Sequence, residues 1–426
     1  MNIPLPKLIE VTQSYPASPR LDFHGLLAEQ FDEEGLSSKI SPGMRIAVGV
    51  GSRGIANLKE IVEAGLRVLI AAGARPFVIP AMGSHGGATP EGQTKVLAEY
   101  GITAESLGVP IDPGMDVEKI GTALGGRDVV FSVPALRADG IVVINRVKPH
   151  TDFRGTLGSG IQKMLTIGFG KQIGAANAHR AAAHVGHETA IREFANVILG
   201  NVRVLCGIAI IEDQHHQAAE LRVLRPDAIV SEEQVLLERA RSLMPQLPLD
   251  EIDLLIVDQI GKEISGSGMD TNIIGRDITG YSTSLQHSNG VTPQIARIFV
   301  RDLSNATNGN GIGIGLADFT TDRAIKALDL RHMYINATTS IGLHSAKIPI
   351  HFSNDREAIH EALATLASMH PEKVRIVRII NTLSLERMLV SECCSEMLEK
   401  RPGVSITGQA RAMRFDEAGN LLPFWQ

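Results

Sequence analysis

The chain of 426 residues is too long for one ordinary hydrophobic core, so two or more domains are expected. Apolar residues at 44% and charged residues at 21% are ordinary for a globular protein. A formal net charge of -6 and only 4% aromatics give neither the basic footprint nor the stacking surface of a nucleic-acid binder, so no nucleic-acid partner is expected.

In chain order, MRIAVGV (44–50) reads as a buried strand, followed by a helix with Leu58, Ile61, Val62, Gly65, Leu66 and Leu69 on one face. ARPFVIPA (74–81) is a second strand, and Thr89-Pro90 opens the next helix as N-cap and first helical residue. Strand–helix–strand–helix at this spacing predicts a parallel sheet with crossover helices. Residues 128–136, 140–148 and 202–211 read as further strands, and an Ala- and His-rich helical region follows a glycine-rich turn over 158–198. The two prolines in 236–250 mark a boundary. Strand-like 252–261 starts a second α/β unit. A glycine-rich stretch, 265–276, is expected to be too polar for a packed element. A strand at 295–303, helices near 320–329 and 355–369, and a strand at 373–380 complete it. The fold class is therefore α/β, with two mainly parallel domains, the first Rossmann-like, and an active site in an interdomain cleft. The predicted limits are 1–248, 249–403, and a tail of 404–426 packing back on the first domain.

Cys206 and the adjacent Cys393 and Cys394 are too few for a disulfide framework and lack C-x-x-C spacing; they read as structural thiols of a reducing compartment, the adjacent pair in a buried helix. MNIPLPKLIE has no secretory-signal pattern, and Arg75 and Pro76 interrupt the most apolar stretch. A soluble cytoplasmic protein without a membrane partner is expected, and a homo-oligomer is compatible with the sequence.

Gly49-x-Gly51-x-x-Gly54 follows a strand and precedes a helix, as a dinucleotide fingerprint would. The second strand, however, ends in Pro80-Ala81-Met82-Gly83 without the carboxylate that holds ribose hydroxyls. What remains is either an anion site containing Arg53 or a tight turn of small residues. His85, among Gly83, Gly86 and Gly87, lies at a strand end where α/β sheets gather ligands; an exposed loop histidine is the plain alternative. Lys148, His150, Asp152 and Arg154 crowd another strand end. Lys163 follows Gly158-Ser159-Gly160, whose backbone N–H groups could cradle a phosphate. His184 and His187 could share a helix face and bind metal, or be structural. Gln259 and Lys262 close the first strand of the second unit. Two histidines on separate strand ends suit proton transfer near neutral pH, the cations suit a carboxylate, and a further histidine and lysine suit a metal or cofactor anchor.

The order and spacing of these places resemble the lactate racemase family, whose members carry a nickel-pincer nucleotide. The resemblance spans residues 45–280 and rests on Gly51-Ser52-Arg53, Gly83-Ser84-His85, Pro149-His150, Gly158-Ser159-Gly160 with Lys163, His179 sixteen positions later, and Gln259 with Lys262. It implies a racemase or epimerase that inverts the hydroxyl-bearing carbon of a 2-hydroxy acid. Lys163 would hold the cofactor covalently, with Gly158, Ser159 and Gly160 forming its turn. His179 would ligate nickel, and His85 and His150 would act as acid and base. Arg53, Gln259 and Lys262 would bind the substrate carboxylate. Protein made without the cofactor-synthesis machinery is expected to be empty of cofactor. Gly86 stands where the family has Arg, and the longer segment before Lys163 contains Arg154; Arg154 or Lys148 is expected to recognise a larger or more polar acid than lactate. The alternatives are an NAD(P)-dependent oxidoreductase and a two-lobed anion-binding protein.

Overall fold

The structure, a computed structural model, describes residues 4–51, 54–151, 153–276, 293–340, 342–366 and 370–424. It divides into two compact units, Ala17–Met244 and Met1–Pro16 with Pro245–Gln426.

In the unit 17–244 the strands are β1 (Arg45–Val50), β2 (Arg75–Pro80), β3 (Val117–Ala123), β4 (Arg127–Ser132), β5 (Gly140–Arg146), β6 (Val204–Glu212) and β7 (Ala218–Leu224). Its longer helices are α1 (Phe23–Glu33), α2 (Leu58–Ala71), α3 (Pro90–Glu99), α4 (Lys171–Val185), α5 (His187–Asn201) and α6 (Ile229–Ser242). One sheet has the order β2-β1-β5-β6-β7, parallel except for β7, with Val48 opposite both Val78 and Val142. In β1 and β2 one exposed arginine precedes five buried residues, because helices cover both faces of the sheet. Ile46, Val48 and Val50 join a core with α1, α2 and α3. Ala47 and Val143 point the other way, into a core with α4, α5 and α6. β1 lies between β2 and β5, so chain order reverses across it, and α/β sheets bind ligands beyond the C-terminal strand ends at such a point. One predicted strand differs. Strand 128–136 stops at Ser132, where Val133-Pro134 turns into a short helix, and its partner is β3 in a separate antiparallel hairpin.

The other unit is built on an eight-stranded sheet. Ile350–Phe352, Phe319–Thr321, Gln294–Leu303, Glu251–Ile260 and Ile376–Ile379 run parallel in that order. Arg387–Ser391, Leu8–Gln13 and Val404–Ile406 then continue it antiparallel. The expected limits are thus corrected at both ends of the chain. Residues 8–13 pair Leu8 with Ser391 and bury Val11 completely in this sheet rather than in the unit 17–244. The tail also packs here: Leu421 is buried against Leu254, Phe299 and Ile359, and Arg378 donates to the Leu422 carbonyl at 3.0 Å. The glycine-rich stretch at 265–276 is packed as well, with Met269, Ile274 and Arg276 buried and a helical turn at Thr271–Ile274. Cys393 is exposed, on a short 3-10 turn rather than in a buried helix, beside buried Cys394. No helix among the described residues is long and apolar enough to cross a membrane.

Val11→Ala should cost about 2–3 kcal/mol through lost burial and a residual cavity. Amide hydrogen exchange should quicken in 387–406 and stay unchanged in β1 and β2; equal loosening in both places would contradict this sheet assignment.

Candidate active site

The site is built on the C-terminal edge of the sheet in 17–244. After β2 the chain makes a tight loop to His85, which is partly buried. Gly86 has φ +62° and lies against α3 so closely that a Cβ would sit 2.4 Å from the Gly92 carbonyl carbon, so only glycine fits. Fully buried Gln93 on α3 ties the loop down, its Nε2 donating to the carbonyls of Gly83 at 2.9 Å and His85 at 3.3 Å. Gln93 Oε1 accepts from Lys171 Nζ at 3.0 Å, and the same amine donates to the Pro80 carbonyl at 2.7 Å. Burial pushes the Lys171 amine down to about 8, partly opposed by Asp112. Its backbone has φ +53°, a strained conformation for a residue with a side chain.

After β5 the chain passes through Lys148 and His150 and returns, so that Lys148 and Ser159 exchange backbone hydrogen bonds at 3.0 and 2.8 Å. Gly158 permits this, since a Cβ there would lie 2.2 Å from the Lys148 carbonyl oxygen. The intervening loop is fastened to α5 by Glu188, which accepts from the Thr156 hydroxyl at 2.6 Å and from Arg192 at 3.0 Å.

Lys163 ends a single helical turn, Ile161–Lys163, that runs into a π-helical stretch, Met164–Gly168. Beneath the start of that turn lies the fully buried carboxyl of Glu233 from α6, accepting from the Gln162 backbone N–H at 3.0 Å and Nε2 at 3.3 Å. A Cβ at Gly160 would meet Glu233 Oε1 at 1.8 Å. The expected phosphate cradle is therefore corrected: the acceptor at this helix start is the protein's own carboxyl, and both glycines serve close packing. Burial pushes Glu233 up to about 7 against the opposing hydrogen bonds from Gln162 and Ile161.

Lys163 Nζ is hydrogen-bonded to His150 Nε2 and lies 3.5 Å from Ser159 Oγ. Phe153 stacks on His150 with centroids 4.5 Å apart and, nearly parallel, on His187 at 5.3 Å. His187 is in turn 6.3 Å from His179 and 6.5 Å from His150, centroid to centroid. The suggested His184–His187 pair is corrected, because Gly186 (φ +84°) ends α4 between them; His184 is exposed and His187 opens α5 within the ring cluster.

The Gly49-x-Gly51-x-x-Gly54 signal also resolves into packing. A Cβ at Gly49 would strike the Phe169 ring at 2.2 Å, and one at Gly51 would meet Asn145 Oδ1 at 2.7 Å. The Ala56 N–H donates to Glu212 Oε1 at 2.7 Å, so a protein carboxylate serves one of the described donors preceding α2. Arg53 lies outside the described residues. Arg154 is exposed on the loop after His150. Gln259 and Lys262 belong to the other unit, where Gln259 is exposed and Lys262 Nζ donates to the Gly266 carbonyl at 2.7 Å and to Asn336 Oδ1 at 3.1 Å.

The structure thus brings His150, Lys163, Ser159 and His179 into one neighbourhood and places His85 on the same edge of the sheet. The sequence reading missed Phe153, Glu233, Gln93 and Lys171. Glu233 had a usable signal: it interrupts the apolar stripe of Ile229, Leu236, Leu237 and Ala240.

No family model matches the chain, and no curated protein matches it. Solved structures do. A lactate racemase apoprotein from Thermoanaerobacterium thermosaccharolyticum superposes with a TM-score of 0.52 and 14% identity, covering 89% of this chain and 99% of that one. The fold is lactate-racemase-like. A protein from Thermotoga maritima superposes with a TM-score of 0.50 and 14% identity over 87% and 99% of the two chains.

The cofactor implied by the sequence resemblance, a lysine-tethered group carrying a metal, can be tested against these residues. Among the described residues no cluster of three or more His, Cys, Asp or Glu is arranged to hold a metal ion. A metal beside His179 would need its other ligands from a cofactor, and the partly buried Lys163 amine suits a covalent tether for one. The amine and imidazoles fit such a group; the Gly158–Gly160 turn does not fit its phosphate.

Glu233 yields a pH prediction. Its folded value lies above its unfolded 4.5, so its contribution to stability is complete below that value and is lost as pH rises through about 7. Relative to Glu233→Gln, the wild type should lose roughly 3 kcal/mol of unfolding free energy between about pH 4 and pH 8. Parallel stability–pH curves from denaturant titration would refute this.

Proposed function

We propose that the protein is a 2-hydroxy acid racemase or epimerase of the lactate-racemase type, acting in the cytoplasm. One observation supports this above the others: Lys163 Nζ is bonded to His150 Nε2, in the ring cluster that includes His179, beyond the C-terminal end of β5. An anion-binding protein has no need of an amine held against an imidazole.

In this reading a nickel-pincer nucleotide is carried on Lys163, with His179 as a nickel ligand. When bound, it would supply an acceptor and donor for the hydrogen on the hydroxyl-bearing carbon. The chain's residues supply the proton chemistry. His150 takes or gives the hydroxyl proton at Nε2, and His85 does so for the opposite enantiomer, whose hydroxyl points the other way. A charged Lys163 amine can only donate, so in the unmodified chain it occupies the Nε2 lone pair. An amine held in an amide-type link to the cofactor would carry no charge, and His150 Nε2 would then be open to the substrate. Phe153, stacked on His150, holds the ring plane and keeps water from one face. Arg53, Gln259 and Lys262 are proposed contacts of the substrate carboxylate, with arginine able to engage it bidentately. Arg154 or Lys148 is proposed to select a larger or more polar acid than lactate.

Protein co-produced with the cofactor-synthesis machinery should interconvert the enantiomers of at least one member of a 2-hydroxy acid panel. Intact mass should show a covalent increment that Lys163→Ala abolishes together with turnover. His150→Asn and His85→Asn should each lower kcat by about 10²–10⁴ while the increment remains. A wild type that carries the increment and racemises nothing would overturn the proposal. Arg154→Ala should alter the preference among acids, and an unchanged preference removes Arg154 from it.

A further inference from the structure

We propose that Lys171 and Gln93 are positioning residues for His85, with Lys171 fixing which way round the Gln93 amide sits and so holding the His85 loop in register with the segment that carries Lys163 and His179. This rests on the functional reading only for the role of His85; the mechanical link stands by itself.

A buried lysine is costly unless its donors are used. Here the lysine is 1% exposed, and its amine donates to two neutral acceptors, the last carbonyl of β2, Pro80, and Gln93 Oε1. An apolar side chain would fill the space without desolvating a charge, so hydrophobic packing does not explain the choice. Nor does local backbone preference, since position 171 has φ +53°, where a side chain is strained. The hydrogen-bond logic does explain it. A glutamine amide can be turned over with little change in shape, exchanging its donor end for its acceptor end. Charged Lys171 can only donate, so Oε1 must face it and Nε2 must face the loop, where two carbonyls, those of Gly83 and His85, wait as acceptors. With the amide reversed, oxygen would oppose two carbonyl oxygens, and the loop would be repelled. Lys171 itself opens α4, the helix that carries His179, and follows the π-helical stretch after Lys163. That stretch also meets the loop through its backbone, the Gly83 N–H donating to the Gly168 carbonyl at 3.3 Å. One buried side chain therefore links the elements that carry all three functional groups.

The test uses the 426-residue chain and needs no cofactor. Carbethoxylation of His85 by diethyl pyrocarbonate is followed by peptide mass spectrometry, with exposed His184 as the internal reference. Lys171→Met should speed His85 labelling about fivefold or more, the equivalent of losing one net hydrogen bond, without changing His184. Gln93→Glu keeps an acceptor for Lys171 but loses both donors to the loop, and should have the same effect. Where Lys171→Met fails to fold, Gln93→Glu alone decides. Unchanged His85 labelling in a folded variant overturns the link. In loaded enzyme the same variants should lower kcat about tenfold or more with KM near wild type, and KM loss alone would refute a role through His85. A wild type without racemase activity defeats the functional reading but leaves the labelling result to be judged by itself.

Discussion

A carboxyl group cut off from water, that of Glu233, sets the position of everything around Lys163. Burying it is expensive, and the structure offsets the cost with the Gln162 backbone and side-chain N–H groups at the start of a helical turn. The arrangement works only because position 160 has no side chain, and the fold of the turn over Lys148 works only because position 158 has none. Ser159, between them, has its backbone paired with Lys148 and its hydroxyl near the Lys163 amine. The Gly-Ser-Gly sequence is thus a packing solution at both ends and a chemical one in the middle.

The π-helical stretch shows how a short segment serves several contacts. Its widened turn, closed by Phe169 N–H to the Met164 carbonyl at 3.0 Å, changes the phase of the helix after Lys163. Phe169 then fits under Gly49, the Gly168 carbonyl meets the loop after β2, and Lys171 emerges beneath Pro80. Such irregularities are common at functional sites, where regular geometry would place the wrong side chain inward.

Much of this was legible in the sequence for a physical reason. Strands buried on both faces read as continuous apolar runs, so β1, β2, β5, β6 and the strand at 251–260 stand out. Thr89-Pro90 signals a helix start through local chemistry, and its hydroxyl does accept from the Gly92 N–H at 3.1 Å. Leu8–Gln13 was not read as an element, because a short segment whose partners lie hundreds of residues away carries no local signal of them. At the site, chemically distinctive residues in glycine-rich company could be named. Phe153 and Lys171 could not, since a ring stack and an amide orientation exist only in three dimensions. The glycine motifs misled in one consistent way: a glycine admits another atom closely, but sequence does not say whether that atom is a ligand's or the protein's own.

The strand at Leu8–Gln13 bears on how the molecule is made. It leaves the ribosome long before the segments at 387–391 and 404–406 that flank it in the sheet. Meanwhile the stretch 17–244, a self-contained insertion in that sheet's connectivity, can fold. The early strand must wait with its edges unpaired, a state prone to wrong association. The later unit therefore pays a large loop-closure entropy for its last antiparallel pairings and should be the slower of the two to mature.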